Sequence, residues 1–369
     1  MEKPVKFSYC GGLIVLTTTI MTVLIPKLKT LVTFLLCAIS ISSGAQIKGS
    51  ASDPYLLNPS SKTVVWGHYW SESTPVLRIR SGEFVKIRSV IGAMPETLEQ
   101  AGLPAARMEK ELIEVQSIKD RGPGPHFLTG PIFIEEAAPG DVLEVRIHSL
   151  DLPFPYGINF FDNEHAGFLA EKVPGQSAKL IEFDRERMIG HFIDGIEIPL
   201  RPFFGSMGVA PPKDAGRWNS APPWIHAGNM DNKEMTVGTT LYIPVYVNGA
   251  LFEIGDGHAA QGNGEVDGTA IETALSGLLQ FVVHKHKKLA WPRAETPTHF
   301  LTMGSDKDLT TATRIATREM ITYLMEERKL SQADALMLAS MAMDLSITQL
   351  VDGFVGVHAM LPKSLFIKK

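Results

Sequence analysis

The chain has 369 residues, two cysteines and a formal net charge of −5, with 44% hydrophobic and 20% charged residues. That length can bury a large core, as one broad domain or two closely packed ones. The acidic balance excludes a nucleic-acid grip, because the most basic run, His284-Lys285-His286-Lys287-Lys288, is a solvated edge rather than a charged face.

The first 45 residues read as a leader. Lys27 and Lys29 form a basic n-region, Leu31 to Ile41 an apolar h-region, and Ser43-Gly44-Ala45 a small-residue cleavage site. Translation is therefore expected to start at Met21, with export to the periplasm or the medium. The earlier apolar run Leu13 to Ile25 is shorter than the roughly 20 residues of a membrane span, so no stable anchor is expected after cleavage. Cleavage after Ala45 would remove Cys10 and Cys37 with four lysines and one glutamate, leaving 324 residues and a net charge of −8. Such a chain has no disulfide, thiolate metal site or cysteine nucleophile. Any metal would be held by imidazole, carboxylate, amide or backbone oxygen.

From residue 46 the pattern is mainly β. Thr63 to Trp70 is a short aromatic strand, with His68 placed after a glycine. Val76 to Arg80 and Phe84 to Arg88 read as a strand pair joined across Ser81-Gly82. A helical interruption follows over Met94 to Lys119, in which Glu109 to Ile118 fits helix or strand. After the rigid loop Arg121-Gly-Pro-Gly-Pro-His126, a further hairpin pairs Leu128 to Ile134 with Val142 to Ile147 across Pro139-Gly140-Asp141. Aromatic residues gather between Asp151 and Gly175, as a lid or a packed loop. Strands resume at Ala178 to Phe183 and Glu197 to Leu200. Ser206 lacks the Gly-x-Ser-x-Gly frame of a nucleophile elbow, since Phe204 stands at the first glycine position.

Thr239 to Val247 alternates like a half-buried strand, and Asn248-Gly249 favours a type I′ turn into a return strand, Ala250 to Ile254. There begins the most chemically dense stretch of the chain. Gly255 to Glu265 holds four glycines together with Asp256, His258, Gln261 and Glu265, and reads as a polar loop at a strand end. If the backbone stays extended, Asp256 and His258 share a face. Beyond it, Leu309 to Glu327 has a helical apolar stripe, and Ser331 to Asp334 makes a capping box for a second helix reaching about Leu345. The fold class is α+β and predominantly β: a sandwich or barrel-like scaffold with a C-terminal αα-hairpin. Residues 46–369 are expected to form the folded domain, with a division into β-rich subdomains of about 46–225 and 226–369 left open.

The dense loop belongs to a longer signature: Gly228-Asn-Met-Asp231, Gly238 to Val245, Gly255 to Glu265 and Gly268-Thr-Ala-Ile-Glu272. With Leu128-Thr-Gly-Pro131, Arg201-Pro-Phe-Phe-Gly205, Val351-Asp-Gly353 and Val357-His-Ala359, this resembles the acetamidase/formamidase family along nearly all of residues 46–369. The resemblance implies hydrolysis of a small linear amide to carboxylate and ammonia, on a β-rich scaffold with a divalent metal. Without a cysteine or a serine elbow, metal-activated water is the economical nucleophile. Asp231, Asp256 and His258 are then the expected ligands, of zinc or of calcium in a geometry other than an EF-hand. Glu265 is the expected general base and acid, with Asn229, Gln261 and His68 around the substrate. His226, His358 and Glu272 stand as secondary candidates. A homodimer is expected. The competing reading is an exported binding protein that keeps the pocket without turnover.

Overall fold

A computed structural model describes residues 48–161, 167–169, 175 and 177–367. The expected leader lies outside these residues, as does part of the aromatic segment after Phe161. No described helix is long and apolar enough to cross a membrane.

Gln46–Lys369 is one compact unit built on two large sheets. In order, the nine-stranded sheet runs Tyr55–Leu57, Phe84–Arg88, Ser276–His284, Val142–Asp151, Thr240–Pro244, Arg293–Glu295, His299–Asp306, Val355–Pro362 and Asp344–Gln349. The spine of the eleven-stranded sheet is Tyr156–Phe161, Glu272–Thr273, Phe252–His258, Phe203–Gly208 and Ala227–Asn229. Phe127–Ile134 also pairs with Phe252–His258 and carries Val64–Trp66 and Leu77–Ile79 beside it. Both sheets take strands from either side of residue 225. Their facing sides share the largest apolar cluster, with Val85, Val145 and Phe281 from one and Ile132, Phe203 and Phe252 from the other. Phe252 and Phe281 meet edge to face with centroids 5.0 Å apart, so the β-rich sandwich expected from sequence is the observed architecture.

Each of the three expected hairpins is instead a crossing between layers. Leu77–Ile79 lies in the eleven-stranded sheet and Phe84–Arg88 in the other; Phe127–Ile134 and Val142–Asp151 divide likewise, as do Thr240–Pro244 and Phe252–His258. Turn chemistry explains the third case. Gly249, Ala250 and Leu251 all have positive φ, a longer left-handed run than a two-residue type I′ turn uses, and Gly249 N–H bonds Ala137 O rather than a partner strand. Around Ser81-Gly82 the backbone is likewise satisfied from outside, with Ser81 N–H on Glu136 Oε2 and Gly82 N–H on Phe281 O.

The C-terminal helices are as expected at their starts. Asp308 accepts from Thr311 N–H at 2.8 Å to cap Leu309–Arg328, and Ser331 Oγ accepts from Asp334 N–H at 3.1 Å to cap Gln332–Ala342. The second helix stops short of Leu345, because Asp344–Gln349 alternates as a strand and pairs with Val355–Pro362. The loop closing that hairpin reaches the site.

Candidate active site

The 252–258 strand runs buried along its whole length, so the dense stretch begins inside the sheet and not as a loop beyond it. It places Asp256 and His258 on one face, with His258 Nε2 3.1 Å from Asp256 Oδ2 and 3.3 Å from Glu272 Oε1. Opposite, the 203–208 strand passes as Gly205. A Cβ there would lie 2.5 Å from Asp231 Oδ1, 2.8 Å from His258 Cε1 and closer still to Asp256 Oδ2. Only a glycine lets these three groups converge.

Asp231 follows the 227–229 strand, its Oδ2 accepting from Asn229 Nδ2 at 2.7 Å. Glu265 comes from the connection to the Glu272–Thr273 strand. That connection is tied to the C-terminal hairpin, since Gly264 N–H donates to Thr348 O at 2.9 Å and Leu350 N–H to Gly264 O at 3.1 Å. The hairpin delivers Asp352. Gln349 fixes its loop, accepting from Val351 N–H at 2.8 Å and Asp352 N–H at 3.2 Å while donating to Phe354 O at 2.6 Å.

These groups line a cavity of about 210 Å³ with one acidic and one apolar wall. Asn229, Asp231, Asp256, His258, Glu265, Glu272 and Asp352 make the first group and Val90, Pro125, Phe127 and Phe160 the second, and His126 also lines the cavity. Of nine described non-glycine residues with positive φ, three are acids of this wall: Asp231, Asp256 and Glu265. Left-handed backbone at a non-glycine residue costs on the order of 1–3 kcal/mol, and it persists where the surroundings over-determine it, as at functional sites.

The charge pattern asks for a cation. Burial raises the proton affinity of Asp231 and Glu265 well above the usual carboxylate range, and neighbouring acids add to it. Burial likewise takes Glu272 and Asp352 up to about 7. Burial opposes the charged form of His258 too, yet Asp256 and Glu272 outweigh it and hold the imidazole protonated; in return His258 and His126 keep Asp256 low against its own burial. Asp231 Oδ1, Glu265 Oε2, Glu272 Oε2, Asn229 Oδ1 and Asp352 Oδ2 are sealed from solvent without a hydrogen-bond partner. Two sets of ligand atoms, from Asp231, His258 and Glu265 and from Asp256, His258 and Glu272, each lie within 4.8 Å of one another. His258 Nδ1 donates to Gln261 Oε1 at 2.9 Å, so a metal at Nε2 would take the place of the proton that Asp256 and Glu272 otherwise hold there. The donor set therefore fits a divalent ion.

The chain matches the family model described as the acetamidase/formamidase family over residues 115–222 and 215–368. The chain belongs to the acetamidase/formamidase family. It is 26% identical over 201 residues to an acetamidase of Mycolicibacterium smegmatis, a match covering 38% of this chain and 49% of that protein. The chain thus matches about half the length of this curated relative. Two crystal structures titled acetamidase align over most of both chains: that from Bacillus halodurans, with TM-score 0.72 and 28% identity, covers 85% of this chain and 98% of its own. That from Yersinia enterocolitica, with TM-score 0.72 and 29% identity, covers 87% and 96%.

Within this acetamidase/formamidase scaffold, five of the seven residues singled out from sequence line the cavity: Asn229, Asp231, Asp256, His258 and Glu265. Gln261 does not; both ends of its amide are engaged, the oxygen by His258 and the nitrogen by Asp231 O at 2.8 Å, so it orients other groups. His68 lies elsewhere. Its ring bonds Trp66 O at 3.1 Å and its backbone pairs with Asn219, an edge role that the glycine before it and the aromatics around it serve. Among the secondary candidates Glu272 joins the wall. His226 packs edge-on to Tyr69, and burial lowers it to about 3; His358 bonds Thr348 Oγ1 at 2.8 Å. Sequence reasoning missed Asp352 and His126, although an Asp-Gly loop between two alternating strands and a histidine after a double Gly-Pro were visible signals.

Proposed function

We propose that this chain hydrolyses the C–N bond of a small primary amide, RCONH₂ and water giving carboxylate and ammonium. The observation that carries the reading is the convergence of two acid and histidine clusters on His258 in one cavity of an acetamidase/formamidase fold. Asp231, Asp256, His258 and Glu272 would hold a divalent metal. A nitrogen ligand among carboxylates favours zinc over calcium, which takes oxygen. Such an ion supplies Lewis acidity and brings water toward a pKa of about 7.

The chain's own groups do the rest. Asn229 Oδ1, buried and unpaired, accepts from the substrate N–H and fixes the amide plane. Glu265, acting as a carboxylate whose proton affinity burial raises, takes the proton of the attacking water and returns it to the departing nitrogen. Gln261 holds His258 and the Asp231 backbone in place. The test is ammonium release from formamide and acetamide by the purified protein. Equimolar ammonium and carboxylate are expected, and binding of amides without turnover would replace the reading with that of a binding protein.

Export by the Met21–Ala45 leader belongs to the same proposal; N-terminal sequencing of the mature protein should begin at Gln46. Self-association as a dimer is supported by Leu336, Met337 and Met341, exposed on the last helix at 54%, 54% and 77% beside the edge strand 344–349. Light scattering reads the mass.

A further inference from the structure

The apolar wall of the cavity has no partner in a substrate as small as acetamide. Val90 and Phe127 belong to a compact buried cluster with Trp66, Ile91, Tyr156 and Ile158, so their positions are set by the core and the wall is formed in advance. Phe160 is locked to the acid-bearing connection: its N–H donates to Thr269 Oγ1 at 3.1 Å and its carbonyl accepts from that hydroxyl at 2.9 Å. Pro125 completes a set of flat and branched groups that line the same cavity as the carboxylates. An apolar cavity of about 150 Å³ takes up benzene, and this one measures about 210 Å³. An amide head seated at Asn229 and Glu265 would leave the space beside Val90, Phe127 and Phe160 to water unless the acyl group filled it.

Building on the proposed amidase reading, we infer that the substrate class is a primary amide with a planar apolar acyl group, of the size and shape of benzamide, its ring against Val90, Phe127 and Phe160. The reaction balances as before: water adds its oxygen to the acyl carbon, the C–N bond breaks, and the nitrogen leaves as ammonia to become ammonium. The aryl ring takes no part in the chemistry; it replaces water on the apolar wall and orients the carbonyl.

The experiment compares benzamide with acetamide, and benzoate with acetate, on the metal-loaded full chain. A kcat/KM ratio for benzamide over acetamide of about ten or more is expected, with benzoate inhibiting more tightly than acetate. Phe160→Ala should lower that ratio about tenfold. If the variant does not fold, product inhibition of the wild-type protein decides alone. Hydrolysis of acetamide with no preference for benzamide and none for benzoate overturns this inference and leaves the amidase reading intact. Absence of ammonium from every amide, with benzoate still raising Tm more than acetate, supports the aromatic pocket while the amidase reading falls. Neither turnover nor a preference for benzoate overturns both.

Discussion

Gly205→Ala places one methyl group where the site's functional atoms meet. The glycine has no left-handed φ, so no backbone strain attends the change and its cost is steric. The new Cβ would stand 2.5 Å from Asp231 Oδ1, 2.8 Å from His258 Cε1 and nearer than either to Asp256 Oδ2, all inside the 3.0 Å that real Cβ atoms keep. Retreat is hindered, because Met230 and Asp231 N–H groups both bond Gly205 O, at 3.0 and 3.1 Å, and His258 is clamped by Gln261. Overpacking of this kind costs about 1–3 kcal/mol of stability, and a displacement of about 1 Å in a reacting group costs about 10² in rate. The expected result is a folded protein by circular dichroism, with reduced metal content and kcat down about a hundredfold. Gly262→Ala is the control, since that position has open space and no left-handed φ. Normal metal content and turnover in Gly205→Ala would refute the claim that chemistry occurs where these atoms converge.

Glu265→Gln should keep fold and metal while kcat falls by about 10² to 10⁴, as measured by ammonium release; loss of metal together with activity would make Glu265 a ligand instead. Gln349→Leu removes three hydrogen bonds around Asp352, and kcat/KM should drop about tenfold, with no further drop when it is added to Asp352→Asn; additive losses would deny that it acts through Asp352. Glu109 gives a stability prediction away from the site. Burial raises it from 4.5 to about 7, against the Ile91 N–H bond and Arg88 that favour its charge. Because the folded state holds this proton more tightly, the stabilisation is complete below pH 4.5 and is lost as pH rises to about 7, up to about 3 kcal/mol. Urea denaturation at pH 5 and 7.5 should show Glu109→Gln gaining on the wild type over that interval; parallel curves would contradict it.

The acidic wall was legible because its residue types are costly anywhere else. Asp231, Asp256, His258 and Glu265 sit among glycines in a signature too long for chance, and strand periodicity alone put Asp256 and His258 on one face. Topology was less legible. Alternation marks a strand but not its sheet, and the turns at Ser81-Gly82, Pro139-Gly140 and Asn248-Gly249 are the same dipeptides whether the chain doubles back or crosses the sandwich. Asp352 and Glu265 are 87 residues apart and meet through backbone bonds at Gly264, a juxtaposition that local pattern does not encode. His68 misled for the converse reason: a histidine beside glycine and tryptophans looks like a site residue, whereas its ring satisfies a nearby carbonyl. The apolar wall, assembled from positions 90, 125, 127 and 160, became visible only in three dimensions.

The paired clusters around His258 are proposed to hold a divalent ion on which amide hydrolysis depends. The most direct measurement strips the purified protein with chelator, confirms by elemental analysis that it is metal-free, and titrates zinc back while recording ammonium release from an amide. Activity should vanish on stripping and return in proportion to bound metal, and Asp256→Asn should bind less of it. Full-rate hydrolysis by verified metal-free protein would show that the reaction does not depend on an ion at His258.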